Sequence, residues 1–227
     1  MRQALIFDAD DTLWENNILF ERVVDDFIAW LAHPVFDYAE IRRIFVEVEE
    51  ANIAAHGYGS RVFLRSLADC FARLMERPVG AAERARMDEF TAVFTSGQVE
   101  LVPAVADVLE ELGERHDLYL MTKGEPTEQQ RKIDASGLVD HFAAVDIVPT
   151  KKPETYRQLI GERRLDPART WMIGNSPKSD IIAARAAGLR AVFIPNPYTW
   201  AHEHAELDPA DDGILHLTTF AELTTHF

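Results

Sequence analysis

Leu5-Ile6-Phe7-Asp8-Ala9-Asp10-Asp11-Thr12-Leu13 is an apolar run that ends in carboxylates. It reads as a short buried strand with two carboxylates, two residues apart, at its C-terminal edge. Strand faces alternate with period two, so Asp8 and Asp10 can start on one side, although the chain turns there. Like charges this close repel, and burial penalises them further, unless a cation or a shared proton compensates. Stability alone would place Val or Ile here. Asp and Thr also suit strand-to-helix turns, but three apolar residues followed by Asp-x-Asp-x-Thr is a more specific arrangement than a capping pair requires.

Outward from this stretch, the chain changes character twice. Residues 15–97 carry helical periodicity and no convincing strand. Phe20, Val23, Val24, Phe27, Ile28 and Leu31 form one amphipathic stripe, and further stripes run through Ile41, Phe45 and Val48, through Phe63, Leu67, Phe71 and Leu74, and through Met87, Phe90, Val93 and Phe94. After Pro103 helices and strands alternate. Helices are expected at 103–115, 126–136, 153–164 and 178–187, and strands at 117–121, 142–148, 170–173, 190–194 and 214–217, with a short helix at the end. Such alternation predicts an α/β fold, a Rossmann-like doubly wound parallel sheet with helices on both faces. The expected division is a core of residues 1–14 and 98–227, with an all-helical block, 15–97, inserted after the first strand. Ligands of open parallel sheets bind at the carboxyl ends of the strands, so the turns after the strands are where chemistry is expected.

Three such turns stand out. Thr122-Lys123-Gly124-Glu125 follows the second strand; its hydroxyl and backbone N–H groups suit a phosphate cradle, and equally a helix cap. Pro149-Thr150-Lys151-Lys152-Pro153 precedes a helix whose first position Pro153 fits. Lysines at a helix N-terminus oppose the helix dipole, so stability alone would not select them. Gly174-Asn175-Ser176-Pro177-Lys178-Ser179-Asp180 follows the fourth strand and offers an amide and a carboxylate. Pro195–His204 holds two histidines and two aromatics, but His202 and His204 do not share a helix face, and the stretch reads as a surface turn.

The 227 residues are 47% hydrophobic, enough for a sizeable core, and carry a formal charge of −15. That charge argues against nucleic acid or an anionic membrane as partner, and makes local cations a requirement for any phosphate site. No apolar run approaches a membrane span. The N-terminus runs almost directly into the strand, so no secretory signal is expected. Cys70 is the one cysteine and suits a core position. A cytoplasmic location is expected.

Taken in order, the four strand-edge turns resemble the four motifs of the haloacid dehalogenase-like hydrolase superfamily, and the helical block resembles its C1-type cap. The resemblance implies that Asp8 is the nucleophile and that Asp10 is the general acid and base. Lys151 or Lys152 would pair with the nucleophile; alignment on Pro153 favours Lys151. Thr12, Thr122, Lys123 and Gly124 are implied around the phosphoryl group. Asp8, Asp10, Asn175 and Asp180 are implied around Mg²⁺, with either Asn175 or Asp180 as a direct ligand. Asp11 is expected to face solvent or cap a turn. Asn175 stands where the family usually has Asp. The implied activity is Mg²⁺-dependent hydrolysis of a small phosphomonoester, with no polymeric nucleic acid or membrane as partner. The alternatives are a metal-free 2-haloacid dehalogenase, which Asn175 resembles and Asp10 opposes, a phosphomutase, and a non-catalytic phosphate-binding protein.

Overall fold

The computed structural model describes residues 2–95 and 99–227. In chain order it contains β1 (Ala4–Phe7), α1 (Asn17–Leu31), α2 (Tyr38–His56), α3 (Ser60–Met75), α4 (Ala81–Thr91), α5 (Val105–Arg115) and β2 (Asp117–Lys123). These are followed by α6 (Pro126–Ser136), β3 (Ala144–Val148), α7 (Pro153–Arg163), β4 (Thr170–Gly174), α8 (Ala183–Ala186), β5 (Arg190–Phe193), β6 (Ile214–His216) and α9 (Leu223–His226). The chain divides into two compact units, residues 1–17 with 98–227, and residues 18–97.

In the first unit the six strands are ordered β3-β2-β1-β4-β5-β6, and every neighbouring pair is parallel. This is the doubly wound order, in which the direction of winding reverses beside β1. Alternation along β1 explains why helices are needed on both faces. Leu5 and Phe7 pack with Val105, Leu109 and Leu112 of α5, Ile133 of α6 and Leu223 of α9. Ile6, between them, points the other way and packs with Tyr156, Leu159 and Ile160 of α7 and Ala183 and Ala184 of α8. All four residues of β1 are buried, as a central strand covered twice must be. Residues 14–17 stay with the sheet because Trp14 bridges to Leu101 and the Glu15 N–H donates to the Glu100 carbonyl at 2.9 Å.

Every regular element among the described residues of the second unit is a helix. The stripes meet in one core that includes Val24, Phe27, Phe45, Phe63, Leu67, Phe71 and Met87. Cys70 lies within it, fully buried, and burial pushes its thiol up to about 12. Asp37 caps α2 by accepting from the Glu40 N–H at 2.9 Å, while the Glu40 carboxylate accepts from the Asp37 N–H at 3.0 Å. The fourth stripe departs from expectation, since Val93 and Phe94 lie in a 3₁₀ turn (Ala92–Thr95) after α4, with Val93 exposed.

One element of the sheet unit also differs from its expected form. The helix expected at 178–187 is a π-helical stretch, Pro177–Ile182, followed by the single turn of α8. The Ile181 N–H reaches back five residues to the Ser176 carbonyl, at 3.3 Å. This wider winding, a frequent device at functional sites, brings Asp180 in under the end of β4. No helix among the described residues is long and apolar enough to cross a membrane.

Candidate active site

β1 and β4 run side by side with Phe7 opposite Ile173, and the Asp8 N–H continues the pairing onto the Ile173 carbonyl at 2.9 Å. Asp8 and Gly174 therefore leave the sheet together, where the winding reverses. β2 lies on the other side of β1 and delivers Thr122 to the same edge. Gly174 must be glycine for a steric reason. A Cβ there would stand 2.3 Å from Oδ2 and 2.5 Å from Cγ of Asp180.

The buried centre is an ion cluster. Lys151 Nζ contacts Asp8 Oδ1 and lies 2.8 Å from Asp180 Oδ1. Asp180 Oδ2 accepts from the Ser176 N–H at 3.0 Å. Asp8 Oδ2 accepts from the Thr12 hydroxyl at 3.0 Å, and Asn175 Oδ1 is 3.3 Å from the same hydroxyl. The Asn175 amide is oriented from behind by Thr199, whose Oγ1 accepts from Nδ2 at 3.0 Å. Lys152, by contrast, is exposed at the N-cap of α7. Of the two lysines, only Lys151 meets Asp8.

The electrostatics follow from burial. Desolvation, then the Asp180 charge, raises the Asp8 carboxyl to about 7, although Lys151 pulls it down. Burial also disfavours the Lys151 ammonium, but Asp180 and Asp8 outweigh that and hold it above the ordinary lysine range. Two carboxylates around one ammonium leave a formal charge of −1 at the strand edge. The oxygens available beside it are a carboxylate and an amide carbonyl, a hard donor set of the kind Mg²⁺ takes. Among the described residues no three His, Cys, Asp or Glu side chains cluster to hold a metal ion. Any such ion would rest on mixed oxygens, main-chain and amide as well as carboxylate.

Asp10 occupies a second, less buried position with its own partners. Its Oδ1 accepts from Trp14 Nε1 at 2.7 Å, and Lys132 Nζ lies 2.6 and 2.7 Å from its two carboxylate oxygens. Gln129 Nε2 donates to Asp10 Oδ2 at 3.1 Å and to Thr122 Oγ1 at 2.5 Å. Thr122 and Asp10 are thus joined through one side chain. Asp11 does not face solvent. It is buried, in the left-handed region at φ 63°, and its Oδ1 accepts from the Asn16 and Asn17 N–H groups at 2.9 and 2.8 Å, where α1 begins.

Two of the residues expected around the phosphoryl group have other partners. Lys123 Nζ pairs with Glu203, and the Gly124 N–H donates to the Val148 carbonyl at 3.2 Å. Glu203 is buried, and its other oxygen accepts from the Ser179 N–H at 3.1 Å. Burial raises the Glu203 carboxyl, but the Lys123 charge and hydrogen bonds outweigh it and set it below the usual range. The histidines of that loop have local partners; the rings of Trp200 and His202 lie 4.2 Å apart, and His204 Nε2 is 2.9 Å from the Thr199 carbonyl.

Lys132, Gln129, Trp14 and Glu203 were not among the residues expected at the site. Gln129, Lys132 and Ile133 stand at i, i+3 and i+4 of α6, a spacing that shares one helix face. Two polar residues beside an apolar one on an inward face is the signal that could have found them.

A family model for haloacid dehalogenase-like hydrolases matches residues 3–188. Protein CbbY of Cereibacter sphaeroides is 29% identical, with 98% of this chain and 97% of that protein aligned. Phosphoserine phosphatase of Thermus thermophilus is 32% identical over a shorter stretch, 55% of this chain and 52% of that protein. The crystal structure of a haloacid dehalogenase-like family hydrolase from Xanthomonas campestris superposes with a TM-score of 0.86 at 26% identity, covering 99% of this chain and 94% of that one. The matched segment takes in all four strand-edge turns, from Asp8 to Asp180, and the chain belongs to the haloacid dehalogenase-like hydrolase family.

Proposed function

We propose that this hydrolase cleaves a small phosphomonoester through an aspartyl-phosphate on Asp8, with Mg²⁺ as cofactor. The observation that carries the reading is the second carboxylate. Asp10 is held by Trp14, Gln129 and Lys132 at the edge that carries Asp8. Displacing an alkoxide from phosphorus calls for a proton donor to the leaving oxygen. Displacing halide from carbon does not. The likeness to phosphoserine phosphatase supports the same reading.

In this mechanism an Asp8 oxygen attacks phosphorus while the bond to the leaving oxygen breaks, and Asp10 gives that oxygen its proton. Water then attacks the phosphoryl group, gives its proton to Asp10 and restores Asp8. Lys151 offsets the charge of Asp8 and of the phosphoryl oxygens, Thr12 fixes the carboxylate of the nucleophile, and Thr122 binds a phosphoryl oxygen. The Asp8 carboxylate, the Asp10 main-chain carbonyl and the Asn175 amide oxygen would hold Mg²⁺, with Asp180 behind them through Lys151. Mg²⁺ bound there would supply the positive charge that carboxylate attack on a phosphate dianion requires. We assign residues 18–97 the role of a cap that selects the substrate, and the cytoplasm as the location.

The second reading is a metal-free 2-haloacid dehalogenase, favoured by Asn175 in place of a carboxylate. Phosphate release from a panel of phosphorylated metabolites, measured with Mg²⁺ and with chelator, separates the two. Release that needs Mg²⁺ and is abolished by Asp8→Asn is the expected result. Chelator-resistant halide release from 2-haloacids, with no phosphatase activity, would overturn it.

A further inference from the structure

The polar face of α6 bears on Asp10. Gln129 is 2% exposed, and burying an amide on a helix that could have used Leu is unfavourable unless its hydrogen bonds are made. Its Nε2 contacts are Asp10 Oδ2 and Thr122 Oγ1. Lys132, one turn on, reaches both oxygens of Asp10 and also lies 3.0 Å from Asn16 Oδ1. All three Lys132 contacts therefore fall on the segment that follows β1. As a partly exposed ion pair, with both side chains about a quarter accessible, this would add little to stability. The arrangement makes better sense as a device acting on one carboxylate.

We propose that Lys132 is the positioning residue of the acid–base step, fixing the orientation of the Asp10 carboxylate by spanning both of its oxygens. This rests on the phosphomonoesterase reading and extends it to a residue on a different element. The balance is explicit. As the Asp8 oxygen–phosphorus bond forms and the bond from phosphorus to the leaving oxygen breaks, the Asp10 proton passes to that oxygen. The carboxylate left behind faces the Lys132 ammonium. In the second half-reaction Asp10 takes a proton from the attacking water, and the same orientation, held by Lys132, serves that step. Gln129 ties this carboxylate to Thr122, so the groups for the leaving oxygen and for the phosphoryl oxygen are set by one helix.

The demand for a proton depends on the leaving group, and the test uses that. Wild-type enzyme, Lys132→Met and Lys132→Arg are compared on an alkyl phosphate, a poor leaving group, and on p-nitrophenyl phosphate, a good one, with folding checked by thermal denaturation. Lys132→Met should lower kcat/KM on the alkyl phosphate by about 100-fold, since general acid–base assistance is worth on the order of 10²–10⁴. It should change kcat/KM on p-nitrophenyl phosphate by less than about threefold, because kcat/KM is set by formation of the phosphoenzyme and excludes the hydrolysis step that the two substrates share. Lys132→Arg, whose guanidinium can also span both carboxylate oxygens, should recover part of the alkyl phosphate rate. Equal losses of kcat/KM on the two substrates, or none on the alkyl phosphate, would overturn the role of Lys132 while leaving the phosphatase reading intact. Wild-type enzyme that releases phosphate from neither substrate would remove that reading, and this role with it.

Discussion

Lys151 Nζ lies 2.8 Å from Asp180 Oδ1, and both side chains are only 1% exposed. Asp180 is thus a fixed counter-charge for Lys151, whose other carboxylate partner is Asp8. Breaking a buried pair from one side costs more than the pair contributes, because the partner is left charged and unsolvated. Lys151→Met strands two carboxylates and should cost about 3–5 kcal/mol of stability in addition to activity. Lys152, exposed at the start of α7, should tolerate Ala within about 0.5 kcal/mol, with near wild-type turnover. Urea denaturation and steady-state rates on both variants check this, and matching losses would mean that the geometry misassigns the lysines.

Gly174→Ala tests the packing that sets Asp180 in place. The added Cβ would fall within 2.8 Å of three Asp180 atoms, none of them the far end of a long flexible chain. Asp180 would have to leave Lys151 or the Ser176 N–H. Overpacking of this kind costs about 1–3 kcal/mol, and the loss of turnover should exceed what partial unfolding accounts for. A variant with wild-type stability would show that the π-helical turn gives way easily.

Much of this was readable from residues 4–13 and from the alternation after Pro103, because both depend on local patterns. Period two in β1 separates Ile6 from Leu5 and Phe7, and the strand-edge turns carry their own residue types. What escaped depends on tertiary packing. Lys132 and Gln129 sit on a helix whose sequence is almost wholly polar, so no apolar stripe marks its inward face apart from Ile133. Glu203 reads as one more surface acid in a chain with 38 of them, until Lys123 and Ser179 are seen beside it. The π-helical stretch has no sequence signature distinct from that of an ordinary helix start.

Asn175 gives a prediction about the metal. It contributes an oxygen but no charge, and ligand charge tunes affinity for hard cations. Asn175→Asp should lower the Mg²⁺ concentration for half-maximal activity by about 3–10-fold. Without Mg²⁺ the added buried carboxylate repels Asp8, with which it shares the Thr12 hydroxyl, so the variant should be less stable than wild type and should regain stability as Mg²⁺ is added. Calorimetric titration of Mg²⁺ into the folded variants gives a readout independent of turnover. Unchanged affinity would place Asn175 outside the metal's reach.

Asp11 gives a prediction about pH. Burial raises its carboxyl from 3.8 to about 7, against the pull of the Asn17 and Asn16 N–H groups. A raised folded-state value means that the folded protein keeps the proton while the unfolded chain has lost it. The contribution of Asp11 to stability is therefore greatest below the unfolded value and declines as pH rises towards 7. Asn at this position keeps an oxygen for both N–H donors, tolerates φ 63°, and carries no charge to desolvate. In chelator-treated protein, Asp11→Asn should be the more stable form at pH 8, and its advantage should grow by about 1–2 kcal/mol between pH 5.5 and pH 8. Urea denaturation at the two pH values measures the gap directly. A gap that stays constant would mean that Asp11 is ionised in the folded state throughout, with the start of α1 supplying enough positive potential to hold it so.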